Sequence, residues 1–378
     1  YAGWGTREKW EITGCNILRN GEYGVYLEMS YHQVIKDNVI KQNWHGAQMG
    51  DIHGYYDIKR IISGNEIAEN KDFGLRVGSF YLTGGVTATG GVTSTGGVTS
   101  TGGVTTTGGV TTTGGKDSFV EQITNNKINS NGSGLSVWGE HRPAKLVVTG
   151  NEIKNNKRGR GFELDAYLDN DLVFENNVIE NNERDGLVVR GSVRGDLSIQ
   201  SNKVKNNRNE GIYLRIYGRE NRANQIVIKD NEVSGKEDAS GHWNGSGITL
   251  DYQNNTAVEI AGNTVENMRD YGIFVKNYDT RTEARIEGNT VKGNGQAGLR
   301  VYGRVLPVVR GNTFDGHRGG LILTYTDSTT SGEFEVSGNA IGSSGGITST
   351  GGYGVRIEEY AQPNINGNDL DGRGGYVI

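Results

Sequence analysis

The sequence has few of the residue types that define several protein classes. Its 378 residues include one cysteine and three prolines. A single cysteine excludes both a disulfide framework and a cluster of metal-binding thiolates. No apolar run approaches the roughly 20 residues that a membrane-spanning helix requires. We therefore expect neither a disulfide-stabilised fold nor a membrane span.

An excess of charge of one sign is also missing. The 39 Lys and Arg and 44 Asp and Glu give a net charge of −5, with both signs scattered along the chain. A nucleic-acid partner is not expected, because such proteins carry a concentrated basic surface. The six histidines do not have the spacing of metal ligands. We predict no metal site and no cofactor from this pattern.

Glycine is abundant, with 61 residues, and much of it belongs to two short recurring motifs. The first motif is Asn, any residue, then an apolar residue, as in Gly150-Asn151-Glu152-Ile153. The second follows about ten residues later or more and reads Gly-apolar-any-apolar, as in Gly298-Leu299-Arg300-Val301. The asparagine of the first motif occurs at Asn16, Asn38, Asn65, Asn126, Asn151, Asn177, Asn202, Asn231, Asn263, Asn289, Asn312, Asn339 and Asn368. A repeat of this length built from short strand patterns indicates a solenoid.

A third apolar segment precedes most of these asparagines, as in Leu146-Val147-Val148, so each repeat holds three strand patterns. The rhythm of Gly-Asn-x-Ile and Gly-Leu-x-Val resembles the right-handed parallel β-helix repeat proteins, the pectate-lyase-like superfamily. The resemblance implies an all-β, single-stranded β-solenoid of about 13 coils with three strands per coil. It also implies export to the extracellular space or the cell surface. It does not imply one activity, because this fold hosts lyases, hydrolases, epimerases, phage tailspikes and surface proteins.

The recurring asparagine favours a turn before a short strand, since Asn tolerates the left-handed backbone conformation. Identical amides stacked coil on coil can also bond one another along the axis. We therefore predict an internal ladder made of all the asparagines of the first motif. Cys15 precedes the first of them, at a place that Gly or Asp takes in other repeats. We predict that it is a small turn or core residue.

One spacing between asparagines, from Asn65 to Asn126, is far longer than the others and contains a low-complexity insertion at 83–115. The insertion repeats Thr-Gly-Gly-Val-Thr, and without it the spacing would be that of an ordinary coil. We therefore predict a single β-helix domain over 1–378 with the insertion in one loop. The insertion is either a flexible Gly/Thr linker or a small ordered β-structure, because Val and Thr favour strands.

The outward positions of the second motif form a surface along the solenoid that mixes aromatic and charged residues. Aromatic rings stack on pyranose faces, and charged groups bond sugar hydroxyls or uronates. The candidates for carbohydrate binding are Tyr167, Arg190, Tyr213, Tyr217, Tyr252, Lys276, Tyr278, Arg300 and Tyr302. The same mixture is typical of a solvated sheet whose cross-coil neighbours stabilise the stack. Both interpretations remain open at this point.

Four residues on or near this surface are candidates for catalysis: Glu163, Asp165, Arg215 and Asp251. Glu163 and Asp165 are two residues apart on one strand face, which places their backbones roughly 6–7 Å apart. Glycoside hydrolysis permits such a separation between its two carboxyl groups. The nearby Arg158 and Arg160 favour structural ion pairs instead. A lyase or epimerase would need cations or Ca²⁺ to neutralise a uronate, so Ca²⁺ is a possible cofactor if the protein is a lyase, although the sequence does not match the calcium sites of pectate lyases.

Two hypotheses follow. The first is an exported, non-catalytic β-solenoid that acts as a structural or adhesive element of a cell surface, an extracellular filament or a phage spike. The second is a carbohydrate-active enzyme, a polysaccharide lyase, epimerase or hydrolase, with its groove on the outward face of the second strand. A third, less favoured, is that the Thr-rich repeat binds a crystal surface. We favour the first, because no catalytic series is recognisable.

The partners expected under the first hypothesis are a polysaccharide or further copies of this chain. The sequence ends on the apolar segment Tyr376-Val377-Ile378. An apolar strand at the end of a solenoid exposes an edge that another chain can pair with. We therefore expect end-to-end or lateral association of copies.

Overall fold

The protein, as a computed structural model, is built from stacked parallel strands. The structure describes residues 9–28, 32–54, 59–82, 120–141, 145–169, 171–217, 225–236, 245–253, 255–317, 319–328, 332–342, 353–370 and 376–377. These ranges contain strands and turns but no helix, and so none that could cross a membrane. The predicted parallel β-solenoid with three strands per coil is confirmed. The insertion at 83–115 lies outside the described residues.

The first face of each coil is a short strand that follows the recurring asparagine, and we call it the asparagine face. Its strands form one parallel sheet, and each pairs with the strand one coil before and one coil after. The strands are Asn16–Leu18, Val39–Lys41, Glu66–Ala68, Lys127–Asn129, Glu152–Lys154, Val178–Glu180, Lys203–Lys205, Glu232–Ser234, Thr264–Glu266, Thr290–Lys292, Thr313–Asp315 and Ala340–Ile341.

The second face carries the Gly-apolar-any-apolar motif. Its strands are Tyr23–Leu27, His45–Met49, Phe73–Val77, Ser133–His141, Phe162–Leu168, Leu187–Val193, Ile212–Ile216, Ile248–Tyr252, Tyr271–Glu287, Ala297–Arg310, Gly319–Tyr325, Val355–Glu359 and Tyr376–Val377. Two additional short strands, Ile52–Gly54 and Phe80–Leu82, pair with each other. Inward and outward side chains alternate, so Phe162 and Leu164 are buried while Asp165 is exposed.

The third face leads back to the next asparagine. Its strands are Lys9–Thr13, His32–Lys36, Lys59–Ser63, Val120–Thr124, Lys145–Thr149, Leu172–Glu175, Leu197–Gln200, Gln225–Lys229, Ala257–Ala261, Gly332–Ser337 and Ala361–Asn366. Two long strands, Tyr271–Glu287 and Ala297–Arg310, continue around the corner from the second face into this one. Their pairing register shifts between Asn277 and Thr282, where the chain turns the corner.

An asparagine ladder runs through the interior of the coil corners. Each amide nitrogen donates to the amide oxygen of the asparagine one coil further on, as Asn151 Nδ2 does to Asn177 Oδ1 at 3.0 Å. It also donates to a backbone carbonyl of the previous coil, as Asn151 Nδ2 does to Ile123 O at 2.8 Å. Asn65 and Asn126 bond in the same way at 2.9 Å, although 61 residues separate them. The coils on either side of the insertion are therefore stacked as direct neighbours.

The ladder asparagine was predicted to adopt the left-handed conformation, but its neighbour adopts it instead. The left-handed conformation is adopted by the residue before each ladder asparagine, such as Asp37 at φ 55°, Asn125 at φ 55° and Gly150 at φ 66°. Gly, Asn and Asp tolerate this conformation best, which explains why they recur there. The ladder asparagine itself is selected for its amide, which is both donor and acceptor.

Two predictions are wrong: Asn16 is not in the ladder, and the solenoid has fewer than 13 coils. Cys15, preceded by Gly14 at φ 65°, takes the ladder position, and its backbone N–H donates to Asn38 Oδ1 at 2.9 Å. Asn16 lies one residue later, is exposed and is not in the ladder. At the other end, Asn368 is followed only by an isolated bridge between Ala340 and Asp369. Within the described ranges the asparagine face has 12 strands, and the solenoid has about 11 turns instead of 13.

A second asparagine ladder runs parallel to the first and was not predicted. Its members lie five residues after the positions of the first ladder, at Asn20, Asn43, Asn70, Asn131, Asn156, Asn182 and Asn207. Each again follows a residue in the left-handed conformation, such as Glu69 at φ 58°. The recurring Asn-x4-Asn spacing in the sequence was the signal. Further along, Asn294 donates its backbone N–H to His317 Nδ1 at 2.9 Å, so a histidine takes the place of an asparagine.

A charged network is buried inside the solenoid among the coils next to the insertion. Arg60, Glu121 and His141 have no exposed surface. Arg60 Nη1 bonds Glu121 Oε1 at 2.7 Å, and His141 Nδ1 lies 2.7 Å from Glu121 Oε2. Burial lowers the pKa of Arg60. Burial alone would raise the pKa of Glu121, but His141 and Arg60 together hold it below its usual value.

All the N–H groups of Arg60 have acceptors. Besides Glu121, its guanidinium donates to Gln33 Oε1 at 3.0 Å and to the carbonyls of Gly78, Gly50 and Ser79 at 2.6, 2.7 and 3.1 Å. An arginine has five such donors, and a buried charge is tolerated only when it is paired and hydrogen-bonded. The network therefore ties together several coils at the point where the chain returns from the insertion.

Candidate functional site

The candidate site lies on the outward side of the second face, from Phe162–Leu168 to Ala297–Arg310. In-register pairing places equivalent residues of successive coils above one another: Asp165 pairs with Arg190, Arg190 with Arg215, Arg215 with Asp251 and Asp251 with Lys276. Neighbouring parallel strands are about 4.8 Å apart. The sequence candidates thus share one continuous surface, which we call the binding face.

The proposed carboxylate pair does not share one environment. Glu163 accepts a hydrogen bond from Arg160 Nη1, and Arg190 Nη1 lies 3.9 Å from its Oε1. Asp165 is exposed. Arg160 Nε in turn donates to Asp185 Oδ2 at 2.8 Å. Glu163 is therefore in an ion-pair network with Arg160 and Arg190, whereas Arg158 makes no ion pair with the described residues.

The other two catalytic candidates also lie in an ion-pair network. Asp251 Oδ2 is 3.0 Å from Lys276 Nζ and 3.8 Å from Arg215 Nε. Three coils separate Asp251 from Glu163, a distance of about 14 Å along the axis. The two carboxylates cannot act on the same glycosidic bond, because hydrolysis needs them within about 10 Å.

Tyr252 differs from its predicted role. Its side chain is 1 % exposed and lies in the core, and its hydroxyl oxygen is 2.7 Å from Thr282 Oγ1. Burial raises the pKa of Tyr252 to about 12. It occupies an inward position of its strand, because the outward and inward sides alternate one residue at a time. Tyr252 therefore cannot stack on a ligand.

Three other candidates form what we call the tyrosine row, which consists of Tyr167, Tyr217 and Tyr278. Tyr167 pairs with Ser192, and the backbone N–H of Tyr217 donates to Gly191 O, which places Tyr217 over Ser192. Gln253 follows Tyr217 in the same way, and Tyr278 lies one coil beyond. The rings thus recur on alternate coils. Tyr217 is 43 % and Tyr278 58 % exposed.

Each ring of the tyrosine row lies beside a cation. Arg194 is 5.3 Å from the ring centre of Tyr167, Arg215 is 5.6 Å from that of Tyr217, and Lys276 is 5.9 Å from that of Tyr278. Cation–π pairs at exposed sites contribute about 0.5–1 kcal/mol each. The pairs restrict the orientation of the rings while part of each ring stays open to solvent.

The remaining candidates form two separate pairs, each of one cation and one tyrosine. Arg190 lies 5.9 Å from the ring centre of Tyr213. Arg300 lies 5.6 Å from that of Tyr302, and its Nη1 donates to the Tyr271 hydroxyl. Tyr302 and Tyr278 have ring centres 5.4 Å apart. Tyr302 therefore connects the second pair to the tyrosine row.

A cleft of about 270 Å³ opens at the edge of the binding face, where the turns enter the second strands. Its lining residues are Ser133, Gly134, Leu135, Ser136, Arg158, Gly159, Arg160, Glu163 and Arg184. Three of these are arginines and one is a carboxylate, so the lining carries a net positive charge in a chain whose net charge is −5. We call this feature the arginine cleft.

Glu210 is a functional candidate that was not predicted from the sequence. It lies just before the strand Ile212–Ile216, and its Oε2 accepts hydrogen bonds from Ser246 N at 3.0 Å and Thr249 Oγ1 at 2.8 Å. Burial raises the pKa of Glu210 from 4.5 to about 7, and these two hydrogen bonds lower it only in part. Such a carboxyl group exchanges a proton near neutral pH, which suits acid–base chemistry. Glu210 lies outside the Gly-apolar-any-apolar motif, so no sequence pattern identified it as a candidate.

Glu210 predicts a pH-dependent stability. Its pKa is higher in the folded than in the unfolded protein, so folding is favoured while the group is protonated. The contribution of Glu210 to the free energy of unfolding should be constant below pH 4.5, fall as pH rises to 7, and level off above it. The total contribution is about 3 kcal/mol. Glu210→Gln should match the wild type in acid and be the more stable protein above pH 7, as urea titrations at several pH values would measure. Equal pH profiles for both proteins would contradict the assignment.

The described residues do not bring together three or more His, Cys, Asp or Glu side chains that could hold a metal ion. His45, for example, has its Nδ1 3.0 Å from Asp72 Oδ2 and packs its ring on Phe73 at 4.7 Å between centres. The binding face likewise combines its carboxylates with arginine and lysine instead of with one another.

Comparisons with known proteins agree with this architecture. The family model described as a right handed beta helix region matches residues 107–257 and 246–378, more than half of the chain. A model described as periplasmic copper-binding protein (NosD) matches residues 5–81, although the described residues there do not form a metal-binding group. No curated protein matches the chain significantly.

Among solved structures, a crystal structure of a double mutant of the periplasmic alginate epimerase AlgG is similar. It shares 12 % identity, with 92 % of this chain and 78 % of that chain covered and a TM-score of 0.40. That likeness is too distant to carry a functional argument. The family match rests on the repeats themselves, which have the strand order, the register and the asparagine turns of a β-solenoid. The chain belongs to the right-handed β-helix family.

Proposed function

We propose that this chain is an exported β-solenoid that binds a polysaccharide along its binding face without cleaving it. It would serve as an adhesive or structural element of a cell surface, an extracellular filament or a phage spike. The observation that carries the proposal is the tyrosine row, in which partly or fully exposed residues recur on alternate coils, each ring beside a cation. Export is supported by the N-terminal similarity to a family described as periplasmic.

The spacing of the row fits an extended glycan that runs parallel to the solenoid axis. Rings on alternate coils recur about every 10 Å. An extended pyranose chain advances by a length close to one coil per sugar, so alternate sugars would meet successive rings. Tyrosine supplies a large, rigid apolar surface together with a polar hydroxyl, which suits a ligand with both apolar ring faces and hydroxyl groups.

The absence of cleavage in this proposal rests on the carboxylates of the binding face. Glu163 is bonded to Arg160, and Asp251 is 3.0 Å from Lys276. Each carboxylate is thus engaged by a basic side chain of the protein itself. Their separation of about 14 Å also exceeds what a shared bond requires.

Replacing one ring of the row should weaken binding without affecting folding. We expect Tyr217→Ala, at a side chain that is 43 % exposed, to bind a cognate polysaccharide about tenfold more weakly. Affinity electrophoresis of the purified chain in gels that contain different polysaccharides would measure this. Tyr217→Phe retains the ring and should bind nearly as well as the wild type. Equal binding by the Ala variant would remove the tyrosine row from the proposal.

One observation favours the alternative hypothesis of a carbohydrate-active enzyme. Glu210, whose pKa burial raises to about 7, lies at the edge of the binding face and bonds Thr249. A carboxyl group that is protonated near neutral pH could donate a proton to a leaving group. If polysaccharides are cleaved, Glu210→Gln should abolish cleavage and leave binding intact. Cleavage that survives in this variant would exclude Glu210 as the acid.

A further inference from the structure

We propose that the arginine cleft is a binding pocket for the anionic group, a carboxylate or a sulfate, of a sugar in the bound polysaccharide. This inference rests on the proposed function, because it assigns a ligand class to one end of the same binding face. It makes acidic polysaccharides the preferred partners. The cleft combines a concave shape, unpaired positive charge and hydroxyl groups, each of which is visible in the structure.

Two arginines of the cleft have no charged partner in the part of the chain that the structure describes. Arg158 and Arg184 are exposed, and neither side chain makes a hydrogen bond or an ion pair with the described residues. Arg160, by contrast, is bonded to both Glu163 and Asp185. An arginine presents its N–H donors in a planar fork that matches a carboxylate or a sulfate. Arg158 and Arg184 are thus available to a ligand while Arg160 is held by the protein.

The ion pairs of Arg160 shape the cleft. Because Arg160 bonds Glu163 from the same coil and Asp185 from the next, its guanidinium is fixed across the cleft edge. Glu163 also has Arg190 at 3.9 Å, which adds a further cation behind it. The single carboxylate of the lining is therefore neutralised by its own neighbours. An incoming anion meets a positive potential that Glu163 does not cancel.

The floor of the cleft depends on a close approach of two turns. A Cβ atom at Gly159 would lie 2.3 Å from Ser133 Oγ and 2.6 Å from Ser133 Cβ, so only glycine fits. The backbone N–H of Gly159 donates to Gly132 O at 3.0 Å, which holds the turn in place. Ser133 and Ser136 line the same cleft and offer hydroxyl groups. A sugar has both an anionic group and hydroxyls, so this mixture of donors suits it better than a simple inorganic ion.

The chain offers a matched control for the unpaired arginines. Arg208 precedes Gly211 by three residues, as Arg158 precedes Gly161. It is exposed as well, but it lies 3.5 Å from Glu183 and does not line the cleft. Removing its side chain deletes the same charge from the same type of turn. Any effect specific to the cleft should therefore be absent in Arg208→Ala.

The experiment measures binding of the full chain to polygalacturonate and to the same polymer with its carboxyl groups reduced to alcohols. Dextran sulfate and neutral dextran form the second pair of probes. We expect the wild type to prefer at least one acidic polymer over its neutral partner by about tenfold. The double variant Arg158→Ala/Arg184→Ala should lose that preference yet bind the neutral polymer as before. Arg208→Ala should retain it.

The outcomes separate the inference from the function on which it rests. Equal binding of the acidic and neutral polymers by the wild type, or a preference that survives in the double variant, overturns the anion pocket and leaves polysaccharide binding in place. No binding of any polymer overturns both. The pair of probes that shows the preference identifies the anion as carboxylate or sulfate.

Discussion

Arg60→Ala should destabilise the solenoid far more than a substitution on the binding face. The variant would leave Glu121 buried without its arginine and would remove the donor to three backbone carbonyls, of Gly50, Gly78 and Ser79. Breaking one partner of a buried ion pair costs about 3–5 kcal/mol, because an unpaired charge remains in the core. We expect a loss of about that size in the free energy of unfolding, measured by urea titration.

A second substitution tests whether the unpaired charge causes the loss. Glu121 pairs in register with Leu146, and Leu146 with Leu172, so later coils carry leucine at this place. Arg60→Ala combined with Glu121→Leu should therefore be less destabilised than Arg60→Ala alone. If the losses in the free energy of unfolding caused by Arg60→Ala and by Glu121→Leu separately add up to the loss in the double variant, the two side chains are not coupled. Such a result would contradict the buried network.

Asn177→Ala should produce the second large loss of stability. Asn177 Oδ1 accepts from Asn151 N at 2.9 Å and from Asn151 Nδ2 at 3.0 Å, and its own Nδ2 donates to Val148 O at 2.9 Å. Alanine removes these hydrogen bonds from the interior, and each buried donor or acceptor that is left unsatisfied costs about 1–3 kcal/mol. We expect a total loss on the order of 4 kcal/mol in the free energy of unfolding.

Asn16→Ala is the matched control for the ladder. Asn16 also belongs to an Asn-x-apolar motif, but it is exposed and pairs with Val39 instead of with another asparagine. Surface substitutions outside such features usually change stability by less than about 0.5 kcal/mol. A large effect at Asn16, or a negligible one at Asn177, would show that the ladder register is wrong.

Much of the fold could be predicted because each coil repeats one set of local requirements. A residue that tolerates the left-handed conformation, an asparagine and an inward apolar residue recur together, as in Gly150-Asn151-Glu152-Ile153. The register at the first coil could not be predicted, since Cys15 breaks the motif and Asn16 imitates it. The second ladder was missed, although Asn43 and Asn70 follow the first ladder at a constant spacing.

The site was harder to predict than the fold, because its properties come from contacts between coils. Inward and outward side chains alternate along a strand. Tyr252 could therefore have been excluded from the binding residues if the register of its strand had been known to within one residue. Glu210 is a functional candidate only because Ser246 and Thr249 of the next coil surround it. The arginine cleft likewise depends on turns of several coils. None of these neighbours is visible from spacing alone.

The buried network and the binding face have different consequences for the molecule. Arg60 and Glu121 lie on the strands Lys59–Ser63 and Val120–Thr124, which pair directly although the insertion separates them in sequence. A fully satisfied polar network favours one pairing register over its neighbours. The tyrosine row lies further along the solenoid, so substitutions there should change binding and not folding.

The measurement that tests the central claim most directly is to incubate the chain with a panel of acidic and neutral polysaccharides and to assay binding and cleavage in the same samples. Binding is read by co-sedimentation, and cleavage by new reducing ends and by the ultraviolet absorbance of unsaturated products. The account predicts retention of at least one polysaccharide, weakened in Tyr217→Ala, with no cleavage products. Cleavage by the wild type, or no binding to any member of the panel, would contradict it.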